Sequence, residues 1–219
     1  SNTLTLNSGD SIVVDQAITG GNALNLHSDG GVAVNAELSA NTIDIRANSS
    51  GGLSGSGNIS TTSSLEALQA GNTTYSGQIS GTGILRKNGT GKLSLTGVKS
   101  FTGDTTVNAG TLESVGTAMS SAVAVAAGAT YEIDLVSASD TAIYSKIISG
   151  EGSFVKSGAG DLTFDQVHTY TGSTSISGGT LKTSGSGSLG SSTALSVASG
   201  ATYEVGADEE VGSIAGSGS

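Results

Sequence analysis

Cysteine, proline and tryptophan are absent from the 219 residues. Without cysteine there is no disulfide framework and no thiolate metal site, so stability has to come from hydrogen-bonded ladders and packing. The lack does not bar export; it says only that oxidation is not used. Charge is also scarce, at 12% of residues against about 25% in an ordinary domain. The eight basic residues are scattered and the formal net charge is −10. That leaves no basic footprint for nucleic acid and nothing to hold an anionic membrane surface. The longest apolar run, residues 122–127, is far short of a membrane-spanning helix. The opening stretch SNTLTLNSGD has neither the basic start nor the apolar core of a signal peptide, so no targeting signal is visible. Leu, Ile, Val and Phe together supply about a fifth of the chain, just above the level typical of disorder. The core is therefore expected to be thin and distributed.

What is plentiful is glycine, 35 residues, and it falls in a repeat. Residues 79–112 and 148–181 match at a fixed offset of 69 with 15 of 34 positions identical, six of them glycine. The match resumes where residues 123–133 (VAVAAGATYEI) meet residues 195–205 (LSVASGATYEV), now 72 apart. A further copy begins at Ile214-Ala215-Gly216. These breaks divide the chain into 1–74, with the composition but not the motif, a first repeat over 75–147, a second over 148–213, and the start of a third over 214–219.

Within each repeat, short stretches alternate polar with apolar, as in Lys92-Leu93-Ser94-Leu95-Thr96 and Thr130-Tyr131-Glu132-Ile133, which is the period of a half-buried strand. No segment carries a helical period, and glycine can supply positive φ at the corners. An antiparallel sandwich shares this turn spacing. A parallel β-helix fits better, because parallel pairs otherwise need helix-length crossovers that the sequence lacks. The expectation is an all-β, parallel β-helix with three short strands per coil and about nine to ten coils of roughly 23 residues each. Repeat-equivalent residues, Leu93 with Leu162 or Tyr131 with Tyr203, are expected to stack in columns.

The string G-x-G-x-L-x-K-x-G-x-G-x-L-x-L-x-G-x-x-x-[FY]-T-G-x-T-x-V-x-x-G-T-L over residues 81–112 resembles the passenger-associated repeat of bacterial autotransporters, the type V secretion proteins. The second copy keeps Gly150, Gly152, Lys156, Gly158, Gly160, Leu162, Tyr170, Thr171, Gly172, Gly179, Thr180 and Leu181, and departs at Phe154, Phe164 and Gln166. The resemblance implies a right-handed β-helix displayed outside a Gram-negative cell, with an outer-membrane translocator barrel C-terminal to it in the parent chain. Passengers of this kind are commonly adhesins or self-associating surface proteins, with host glycans, matrix or cell-surface molecules as partners, and in many the barrel-proximal coils support folding; the repeat itself does not imply which applies. A purely structural spacer carrying an upstream functional domain is the alternative.

The residues that could carry chemistry point elsewhere. Catalysis by a triad needs a nucleophile, a base and an orienter. Of the two histidines, His168 occupies the position of Lys99 in the other copy and reads as a variable surface residue. His27 ends a strand with no motif around it. Gly9-Asp10-Ser11 is followed by Ile12 and reads as a turn. A sugar-cleaving site would need clustered carboxylates; the candidates are Asp208-Glu209-Glu210, Glu132 with Asp134, and Asp161 with Asp165. Aromatic platforms are rare, at 4%, and Tyr131 and Tyr203 read as packing residues. Gly158-Ala159-Gly160-Asp161 matches a fragment of a calcium-binding nonapeptide once, but Lys92 replaces the aspartate in the first copy. Lys87 and Lys156 are expected at solvated edges or beside carbonyls. Asn48, Asn58, Asn72 and Asn88 lie in sequons expected to be unmodified. No catalytic residue, metal site or cofactor is assigned. Ser and Thr, roughly 29% of the chain, are expected to cover the exterior.

Overall fold

The computed structural model describes residues 2–206 and 209–219. Twenty-five strands are found among these residues, and no helix. In chain order they are β1 (Thr3–Ser8), β2 (Ile12–Val14), β3 (Ile18–Thr19), β4 (Ala23–Ser28), β5 (Val32–Val34), β6 (Leu38–Ala47), β7 (Leu53–Ser54), β8 (Ile59–Gln69), β9 (Thr73–Tyr75), β10 (Ile79–Gly81), β11 (Ile84–Asn88), β12 (Lys92–Leu95) and β13 (Thr105–Val107). They continue as β14 (Thr111–Val115), β15 (Val123–Val125), β16 (Thr130–Asp134), β17 (Thr141–Tyr144), β18 (Ile148–Gly150), β19 (Ser153–Ser157), β20 (Asp161–Phe164), β21 (Thr174–Ile176), β22 (Thr180–Thr183), β23 (Ala194–Val197), β24 (Thr202–Glu204) and β25 (Ser213–Gly216). The chain forms two compact units, residues 1–112 and 113–219.

In the first unit the chain winds as a parallel β-solenoid with three sides. One side stacks β1, β4, the second half of β6, the second half of β8, β11 and β13. A second stacks β3, the first half of β6, the first half of β8 and β10. The third begins with β2, β5 and β7 and includes β9 paired with β12. β6 and β8 each run through two sides as one long strand, and their pairing slips between Ala40 and Thr42, which bends the sheet there. Period-two alternation places Leu24, Ile43, Leu65 and Leu85 in one inward column and Leu26, Ile45 and Ala67 in the next.

The second unit is wound the same way. β15 pairs with β18 on one side. β16, β19, β21, β23 and β25 form the next, and β17, β20, β22 and β24 the third. After β20 the first side continues without regular strands, marked only by a bridge between Val167 and Ser188. The three strands per coil expected from sequence thus hold from β1 to β10 and again from β15 to β20, while the windings of β11 to β14 and β21 to β24 use two strands and a loop.

Two further expectations need correction. The solenoid has about 11 turns, not nine to ten, because most windings are shorter than 23 residues: Ala23 lies under Thr42 and Thr3 under Ala23, although Val123 reaches Ile148 only after a longer excursion. Repeat-equivalent residues also do not share columns. Tyr131 lies on β16, whose partner is β19, while its equivalent Tyr203 lies on β24, whose partner is β22. β15 and its equivalent β23 are likewise on different sides. The sequence repeat is not a whole number of windings, so each copy starts on a different side.

Candidate functional site

The interior of each unit contains polar groups that the alternation forces inward. Lys87 follows Leu85 by two positions and so must point into the coil, between Ala67 below and Val107 above. It is fully buried. Its ammonium donates to the carbonyl oxygens of Asn88 at 3.0 Å, Gly89 at 2.7 Å and Ala109 at 3.1 Å, so all three protons are used. Lys156, between Ile133 and Ile176, repeats the arrangement on Ser157 (2.6 Å), Gly158 (3.1 Å) and Gly178 (3.2 Å). Burial pushes Lys87 down to about 8. Lys156 is lowered by burial too, against the opposing pull of Asp134 and Asp161. Both lysines therefore sit beside carbonyls, as expected, but not at a solvated edge. The signal that would have found them is the alternation itself.

His168 corrects a second reading, because it is 2% exposed and not a surface residue. Its Nδ1 accepts the Ile148 backbone N–H at 3.0 Å. Its proton then belongs on Nε2, which has no hydrogen-bond partner. The ring packs 3.9 Å from the centroid of Phe164 and 6.0 Å from that of Tyr144. Burial drives its pKa down to about 4, with Asp165 pulling weakly the other way. Tyr131, Tyr144, Phe154, Phe164 and Tyr170 complete a continuous aromatic stack at centroid separations of 5.1 to 6.3 Å. Repeat-equivalent Lys99 is buried as well, donates to the Leu95 carbonyl at 3.1 Å, and is pushed down to about 8 by burial. A buried position is thus filled by a different group in each copy.

The other candidates are dispersed. His27 Nε2 lies 3.1 Å from Asp44 Oδ2, and Arg46 Nε donates to both oxygens of the same carboxylate at 3.1 and 2.9 Å. This outward cluster escaped the sequence reading because its members come from neighbouring windings. Ser11 Oγ accepts the Gly31 N–H at 3.3 Å, in keeping with a turn. Glu132 and Asp134 share a face of β16, but Glu132 is engaged by the Ser157 hydroxyl at 2.6 Å. Asp161 faces Lys182 at 3.5 Å, whereas Asp165 accepts from Ser145 at 2.7 Å, so the two do not form a pair. Asp208 lies outside the described residues. Glu209 accepts from the Leu189 N–H at 2.8 Å and the Tyr203 hydroxyl at 2.7 Å, and Glu210 is exposed. Asn72 caps the Lys92 N–H at 2.8 Å, Asn88 accepts from Asn108 at 2.7 Å, and Asn48 and Asn58 are exposed.

The outer faces carry many Ser, Thr and Asn side chains, with exposed apolar residues such as Val98, Val136 and Ile143 among them. A concavity of about 550 Å³ lies in the first unit at the bend in β6 and β8 and is lined by Asn, Ser, Thr, Gly and Ala. A second, about 410 Å³, lies beside His27 and Asp29.

The family model described as the passenger-associated-transport-repeat matches the chain twice, at residues 85–113 and 154–182. These segments run from β11 into β14 and from β19 into β22; the first contains Lys87 and the second Lys156. No curated protein and no solved structure matches the chain.

Proposed function

From a chain that carries two passenger-associated transport repeats within a parallel β-solenoid, a combination that fits an autotransporter passenger fragment, we propose an adhesive and self-associating stalk displayed on, or released from, the cell surface. Such repeats imply export to the exterior. The observation that carries the adhesive reading is the stacking of small polar side chains in outward rows. In the first unit Thr19, Ser39, Ser60 and Ser80 occupy successive rungs of one outward column. Surfaces of this kind make weak, wet contacts that gain strength by summation along a rod. Host glycans, matrix proteins or a second copy are the partners in this reading, and enzymatic turnover has no part in it. The dispersal of Glu132, Asp161, Asp165 and Glu209 onto separate protein partners supports that last point.

Beads coated with the purified chain test the reading. Clumping of the beads, or their retention on glycan- or matrix-coated surfaces, is the expected result. Inert, monodisperse beads on every surface would leave the chain as a spacer. The buried lysine ties between windings favour that second reading, because they fasten neighbouring windings without presenting anything to a partner.

A further inference from the structure

We infer that the outer corner of the first unit, where β6 and β8 bend, is a binding groove for an extended, uncharged glycan. The inference rests on the adhesive reading and assigns it a place and a ligand class. The pairing slip between Ala40 and Thr42 turns each long strand from one side to the next. The turn opens a groove of about 550 Å³ whose polar lining is Asn2, Asn22, Ser39, Asn41, Ser60 and Thr62. Ser39 and Ser60 are register partners, so they stand one winding apart, about 4.8 Å. Asn41 and Thr62 line the groove as well, and the Thr62 hydroxyl donates to Asn41 Oδ1 at 3.0 Å. Both rows continue along the axis: Ser80 pairs with Ser60, and the Thr82 hydroxyl donates to the Thr62 carbonyl at 3.1 Å.

Three features select the ligand. First, the lining is rich in hydrogen-bonding side chains. Asn25, Asn35 and Asn108 each spend an amide hydrogen on a neighbouring rung, whereas Asn41, which lines the groove, is engaged by Thr62 through its oxygen. Second, no charged side chain lines the groove, so an anionic or cationic chain gains nothing from it and gives up its hydration. Third, the backbone of the corner is already paired, with the Gly20 N–H on Ser39, Asn41 on Gly21 and Thr42 on Asn22. The rungs at the bend therefore offer an extended peptide little free backbone to pair with. A polymer carrying hydroxyls at regular intervals meets the same donors and acceptors at each winding. Without an aromatic platform each sugar binds weakly, and affinity comes from length.

The test measures binding of the purified chain to a panel of uncharged linear oligosaccharides, including cello-, malto- and N-acetylglucosamine oligomers. Sialylated and sulfated oligosaccharides of matching length complete the panel. Expected is a preference for uncharged chains that strengthens with length and falls about tenfold or more in the double variant Asn41→Leu, Ser60→Leu. Asn108→Ala, outside the groove, retains wild-type binding. Both altered positions are outward-facing, and an unchanged denaturation midpoint confirms that the double variant folds; if it does not, Ser39→Trp, which narrows the groove from the rim, replaces it. No binding to any uncharged member, a preference for charged chains, or binding indifferent to the groove variants would overturn the inference. Coated beads separate the two readings. If the double variant loses oligosaccharide binding but its beads still clump, adhesion lies elsewhere. If wild-type beads adhere to nothing while soluble oligosaccharide still binds, the groove stands and the adhesive stalk falls.

Discussion

The ammonium of Lys156 reaches across one winding to the carbonyl oxygen of Gly178 at 3.2 Å, as that of Lys87 reaches Ala109 at 3.1 Å. In each repeat a single buried side chain closes its own corner and fastens it to the next. A charged donor with all three protons engaged is among the stronger hydrogen-bonding arrangements. Removing it leaves three carbonyls short of a partner. Lys87→Met and Lys156→Met should each lower stability by about 3 kcal/mol, read as a shift of the urea midpoint. Arginine should not rescue, because a planar fork cannot take the place of three converging protons.

Glycine matters where the backbone is both left-handed and crowded. Gly81 and its repeat equivalent Gly150 have φ of 102° and 98°, and a Cβ on either would be driven into the carbonyl of the winding below, Thr61 or Val125. Gly81→Ala and Gly150→Ala should each cost more than about 3 kcal/mol. Gly116 shares the left-handed conformation, with φ of 74°, but faces open space. Gly116→Ala should cost only about 1 kcal/mol. Equal losses at all three positions would show that conformation, not crowding, sets the penalty.

His168 makes the second unit sensitive to acid. Its folded pKa, about 4, lies below the ordinary value of 6.5, so the unfolded chain takes up the proton first. The contribution is complete above pH 6.5 and is lost as pH falls towards 4, a total of about 3 kcal/mol. Denaturant titrations across that range should show the slope in the wild-type protein. His168→Met lacks the slope, although it is less stable throughout because the Ile148 N–H loses its acceptor.

Lys182 provides the contrast. It bridges Asp161 at 3.5 Å and Glu204 at 3.3 Å on the outer face of the second unit. These carboxylates raise its pKa, yet solvent screens the pairs. Lys182→Ala should leave the denaturation midpoint unchanged in physiological salt.

Much of this was legible in the chain. Alternation in segments such as Lys92-Leu93-Ser94-Leu95, with no helical period anywhere, is enough to require strands, and the missing crossovers require winding. The length of a winding was harder to read, because corner loops vary: residues 126–129 make one in four residues, while residues 184–193 take ten. Composition also misled at Lys87 and His168. A lysine or histidine in a polar, glycine-rich sequence suggests the surface, but part of what makes their burial tolerable, the Ala109 carbonyl for Lys87 and the Ile148 N–H for His168, belongs to an adjacent winding. The clamp of His27, Asp44 and Arg46 and the groove at Asn41 arise from register between strands, and no local motif announces them.

Ala124 on β15 and its counterpart Ser196 on β23 both face outward, but from different sides of the coil. Tandem duplication of such a module therefore turns each descendant partway about the axis. A lineage that lengthens in this manner gains reach and scatters its inherited features to several compass points, so any single-sided stripe of identical contacts must be re-evolved by point substitution after every copying event.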